Sequence, residues 1–80
     1  MSDSAAASLA ARARQVYELA WLGKSARVRT LATAQLDAAM RELQSVDPAR
    51  YQALCEECFA RAGELAARRA VTERETEVQA

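Results

Sequence analysis

An all-α fold is what this 80-residue chain predicts: an antiparallel, coiled-coil-like helical hairpin with an additional N-terminal helix. Three observations predict it. The first is composition. Twenty residues are Ala, with many Arg, Glu, Leu and Gln, all good helix formers, and only two Gly and one Pro interrupt them. Ile is absent and Val and Thr are scarce, so a sheet would have little material. The second is spacing. Tyr51, Leu54, Cys55, Cys58, Phe59, Ala62, Leu65, Ala66 and Ala70 recur at steps of one, three and four. Only a period of 3.6 residues gathers these on one side. The third is punctuation, at Gly23 and at Asp47-Pro48.

The first helical segment is predicted over about residues 4–22, with Asp3 or Ser4 as its cap. Its stripe is Leu9, Ala13, Val16, Tyr17 and Ala20, widened by Leu19, Trp21 and Leu22. Gly23 follows the last apolar residue, where a left-handed glycine commonly ends a helix.

The second segment is predicted over about 25–45. Val28, Ala32, Leu36, Ala39, Leu43 and Val46 form its seam, with Leu31 and Met40 alongside. From Ala32 onward the steps of four and three are those of a coiled coil. The small Ala positions suit a close helix pair.

The third segment is predicted over about 48–72. Pro48 fits only a first turn, and Asp47 before it is positioned to cap the backbone N–H groups. So short a break folds segments two and three into a hairpin. Gly63 inside the segment costs about 1 kcal/mol relative to Ala, a cost that close packing would explain. Residues 72–80 lack an apolar stripe and are expected to fray.

Together these segments make a single domain, 1–80. The expected hairpin core is Val28, Ala32, Leu36, Ala39, Leu43, Tyr51, Leu54, Cys55, Cys58, Phe59, Ala62 and Leu65. That leaves apolar residues over. Leu9, Val16, Tyr17, Leu19, Trp21, Leu22, Leu31 and Met40 are the expected protein-binding set, since exposed apolar patches mark partner sites. So small a domain rarely stands on its own core and leans on a metal, a disulfide or a second protein.

Charge excludes several classes. Eleven basic and eleven acidic residues balance to zero, against the basic excess of a nucleic-acid binder. Residues 1–30 hold five basic and two acidic side chains, net +3, and the remainder carries −3. Arg12, Arg14, Arg27 and Arg29 read as a solvated face rather than a nucleic-acid or membrane surface. No aromatic residues alternate with them. The opening Met-Ser-Asp-Ser places an acid where a secretory leader has bases, and no run approaches a membrane span. The expected location is the cytoplasm, which free thiols also suit.

Catalysis and cofactors are not expected. Cys55-Glu-Glu-Cys58 lies two turns into its helix, with no strand before it and two acids inside, unlike a redox dithiol. As a zinc site it lacks two ligands: there is no His and no other Cys, and only a second copy could add them. Gly23-Lys24-Ser25 imitates the end of a phosphate loop, but position 18 is Glu rather than Gly. Glu56, Glu57 and Glu64 fall between stripe positions and face solvent. Ser and Thr have no His base.

Residues 31–70 resemble the small co-chaperones of the bacterial type III secretion needle subunit. The resemblance rests on the seam Leu36, Met40, Arg41, Glu42, Leu43, the break Asp47-Pro48, the pair Tyr51-Gln52, and a helix of small and apolar residues to Ala70. It implies a hairpin that docks on a larger helical-repeat chaperone, the two keeping the needle subunit unpolymerised. The chain departs from it in a longer, more apolar first segment and in the Cys pair. The expected function is an accessory chaperone of a secretion subunit. The alternative is a small homodimeric inhibitor that blocks a larger protein. The expected partner is accordingly a larger protein or a second copy, with no nucleic acid, membrane or cofactor.

Overall fold

The computed structural model describes the backbone of residues 2–79 and the side chains of residues 4–75. The described residues form three helices and no strand: α1 (Ser2–Leu22), α2 (Ala26–Val46) and α3 (Pro48–Gln79). Short turns reverse the chain twice, so α1 and α3 run in the same direction and α2 runs against both.

Each reversal has a local cause. Ser25 is extended, and its hydroxyl accepts from the Val28 N–H at 3.2 Å, starting α2. Asp47 ends α2 by donating its N–H to the Leu43 carbonyl at 2.8 Å. It then starts α3, its carboxylate accepting from the Arg50 N–H at 3.1 Å. Pro48 occupies the first position of α3, where its missing N–H costs nothing.

The core is narrow and rich in alanine. Ala6, Ala10 and Ala13 of α1 meet Ala39 and Leu43 of α2 and Leu54 of α3 in one buried cluster. Leu9, Leu36, Met40, Tyr51 and Cys58 pack around it, half-buried. Small residues let the α1 and α2 backbones approach closely, and α3 closes the third side. Leu65 is fully buried on α3.

At 21 residues each, α1 and α2 are about 32 Å long, whereas the 32 residues of α3 span about 48 Å. The molecule measures 50 × 23 × 15 Å. After Leu65, every side chain to Glu75 is exposed except half-buried Arg69. The end of α3 therefore outruns the bundle.

Several expectations are corrected here. Residues 72–79 are helical rather than frayed. Glu, Arg and Gln favour helix, and Arg69 pairs with Glu73 at 3.1 Å along the surface. Residue 80 lies outside the described residues, as does the side chain of Asp3, and α1 begins at Ser2, ahead of Ser4.

Gly23 is not left-handed; neither glycine has positive φ. Its requirement is steric. A Cβ there would stand 2.7 Å from the Leu19 carbonyl oxygen and 2.9 Å from Val28 Cγ1. The Gly23 carbonyl instead accepts from Arg29 at 2.8 Å, which satisfies one free carbonyl at the α1 end. Gly63 shows the reverse: nothing lies within 4 Å of an added Cβ, so it marks no close packing.

Two residues expected in the core are outside it. Val28 is 40% exposed and Phe59 86% exposed. The broad stripe of α3 covers more arc than its neighbours can use. Leu54 and Leu65 take the buried centre, and Phe59, one position past Cys58, is turned away from it. Of the expected binding set, Val16 is only 6% exposed and belongs to the interior, because α1 enters its groove by the Ala6, Ala10, Ala13 edge.

Candidate protein-binding surfaces

Two apolar surfaces remain open. The first lies near the Gly23 turn, where α1 hands over to α2. Leu19 is 48% exposed and Leu31 55% exposed. With Val28, Ala32 and Gln35 they line one cleft, and Leu19 and Leu22 with Gln15 and Glu18 line a larger adjoining one of about 420 Å³. Gly23 leaves room for Val28 beside the turn, since a Cβ there would stand 2.9 Å from Val28 Cγ1.

The one charged side chain lining these clefts is Glu18, which faces Arg68 at 3.9 Å. Lys24 and Arg27, close in sequence to the turn, are exposed.

The second surface is an open groove of about 390 Å³ between α2 and α3. Leu36 and Met40 form one wall, and Tyr51, Cys55 and Ala62 the other, with Phe59 at the rim. Tyr17 reaches the groove from α1, its hydroxyl donating to the Cys58 carbonyl at 2.8 Å. Asp37 adds one charge.

The cysteines are half-buried and free. Burial raises the Cys58 thiol above its ordinary 9.0, helped by the negative charge of Glu57. The Tyr51 phenol is raised above its ordinary 10.0, first through its hydrogen bond with Cys55. Both shifts hold these groups neutral, the opposite of an activated nucleophile.

Among the described residues no three of His, Cys, Asp and Glu converge as metal ligands. None of the described helices is long and apolar enough to cross a membrane. The four Arg of the basic segment do not act together. Arg14 binds Glu57 at 2.8 Å, Arg29 caps Gly23, Arg12 lies in a cleft with Leu9, Gln35 and Glu42, and Arg27 is exposed.

The expected binding residues are thus divided. Leu19, Leu22 and Leu31 share the first surface; Tyr17 and Met40 border the second. Leu9 packs on the core and touches the shallow cleft, Trp21 is half-buried, and Val16 is interior. Phe59 and Val28 were missed as surface residues. The signal for Phe59 was present: at 3.6 residues per turn the stripe spreads over roughly 160° of the helix, more than one neighbouring face can cover. No known family model matches this chain, and neither a curated protein nor a solved structure proves similar to it.

Proposed function

We propose that this chain is a non-catalytic protein-binding module, an accessory chaperone that covers an aggregation-prone helical subunit together with a larger partner in the cytoplasm. The observation that carries the reading is the first surface. Leu19, Leu22, Val28 and Leu31 lie in adjoining clefts at one end of a bundle whose own core is mostly alanine. They add little to that core, and contiguous exposed leucines on a small domain mark a partner site. The occupant that fits is an amphipathic helix with its apolar edge in the clefts. The likeness of residues 31–70 to needle-subunit co-chaperones names the class of client: a secretion subunit that would otherwise polymerise.

The test compares wild type with Leu19→Glu/Leu31→Glu as affinity baits in the native cell, followed by co-expression of the captured protein. The expected result is one helical protein held by wild type, lost by the double variant, and insoluble unless wild type is co-expressed. Equal capture by both baits, or a client equally soluble without this chain, would overturn the reading.

A further inference from the structure

We infer that Cys55, Cys58 and Met40 form a binding site for a soft monovalent cation, cuprous copper, in the groove between α2 and α3. The site is separate from the Leu19–Leu31 surface, and the inference does not depend on the chaperone reading.

Spacing on α3 supplies two donors. Cys55 and Cys58 are three residues apart, and both line the groove. Helical neighbours at that spacing have Cβ atoms about 5–6 Å apart. A disulfide needs about 3.5–4.5 Å, so a direct S–S bond would require α3 to distort. A bound ion requires no such change. With metal–sulfur bonds of about 2.3 Å, the two sulfurs stand up to roughly 4.6 Å apart, which two side chains on adjacent turns reach from an intact helix.

The hairpin supplies the third donor. Met40 lies seven residues before Asp47 and Cys55 eight after it, so antiparallel helices bring the two nearly level. Met40 is half-buried and lines the same groove from the α2 wall. Three sulfur-bearing side chains therefore border one opening, with Leu36, Tyr17 and Phe59 as apolar surroundings.

Donor chemistry selects the ion. Zinc takes four ligands, and among the described residues no three of His, Cys, Asp and Glu converge, so Asp37 of the same groove does not extend the thiol pair into a zinc set. Cuprous copper accepts two or three ligands, and thiolate with thioether is the soft set that selects it. Binding breaks two S–H bonds, forms two copper–thiolate bonds and sends two protons to water, and no electron is transferred. A coordinating thiol gives up its proton to the metal even where burial keeps the free thiol neutral. The loaded site carries a net charge of −1, which Arg14 and Arg61 near Cys58 offset and Glu57 opposes. The Tyr51 hydroxyl, hydrogen-bonded with Cys55, steadies that sulfur from behind.

The test loads the full chain anaerobically with Cu(I) in competition with a chromophoric Cu(I) chelator. The expected result is one copper per chain, with a shell of three sulfurs by X-ray absorption. Cys55→Ser and Cys58→Ser each lower the affinity at least about 100-fold and Met40→Leu about tenfold, with wild-type helicity kept before loading. Stoichiometry and coordination are read on the wild type, so they test the inference even where a variant unfolds. No copper retained against the chelator, one copper shared by two chains, a shell without three sulfurs, or an affinity unchanged in a folded Ser variant would overturn it. The Leu19→Glu/Leu31→Glu variant binds copper as wild type does, which keeps this result apart from the client test.

Discussion

The hydroxyl of Tyr17 donates to the carbonyl of Cys58 at 2.8 Å, and this bond sets the height of α1 against α3. It lies next to the Arg14–Glu57 pair, also 2.8 Å, so two neighbouring turns of α1 are fastened to one turn of α3. The exposed ion pair adds little, because water screens it. The half-buried hydroxyl contributes more. Tyr17→Phe is expected to cost about 0.5–1.5 kcal/mol in urea unfolding, since a typical net hydrogen bond is lost. A cost near zero would show that α1 is held in register by the alanines alone.

The two glycines should respond in opposite directions. Gly63→Ala places a methyl in open space on an exposed helix and is expected to stabilise by about 0.5–1 kcal/mol. Gly23→Ala forces a Cβ against the Leu19 carbonyl and Val28, and a loss of about 1–3 kcal/mol is expected. Thermal melting of both variants checks the pair; the same sign in both would contradict the packing described.

Three leucines anchor the alanine-rich core. Leu43, Leu54 and Leu65 are the largest fully buried side chains. Truncating such a residue to Ala costs about 2–5 kcal/mol, while a domain this size has about 3–5 kcal/mol to lose. Leu43→Ala is therefore expected to be largely unfolded at 37 °C by circular dichroism. A folded variant would show that the core is less concentrated than its burial pattern indicates.

Asp47 closes one helix and opens the next. Asp47→Ala removes the acceptor for the Arg50 N–H and is expected to cost about 0.5–2 kcal/mol. Asp47→Asn keeps an acceptor and should recover most of that loss, leaving only the contribution of charge at the helix end.

The thiol of Cys58 predicts an alkaline limit. Its pKa in the folded chain is raised above 9.0, first by burial. Folding thus favours the protonated thiol, and that stabilisation is fully present below pH 9. It is lost as pH climbs from 9 through the raised folded value, because the unfolded chain releases the proton first. Urea midpoints should fall across that window in wild type and fall less in Cys58→Ala, with Tyr51 supplying a further loss near its own raised pKa.

Where the chain turns was legible in the sequence, because the turn signals are local. Ser25 and Asp47 act through side chains that accept from the backbone N–H three residues on, and Pro48 through its fixed φ and missing N–H. Which residues fill the core was only partly legible. Ala6 and Ala10 lie at helical spacing with Ala13 and Val16, yet alanine carries so little apolar contrast that a short Ala run gives no stripe to read. Phe59 was assigned inward because periodicity defines a face and not its depth. Only the placement of α1 and α2 decides how much of that face is covered. The end of α3 was read as fraying for want of apolar residues, whereas helix propensity and the Arg69–Glu73 pair continue it.

The most direct measurement is the melting of Leu19→Glu/Leu31→Glu beside wild type, each alone and each with the captured client. The account predicts that the two chains melt alike when alone, and that only wild type gains stability as client is added. Unfolding of the lone double variant would mean that these leucines belong to the core, and equal stabilisation of both chains would place the client elsewhere.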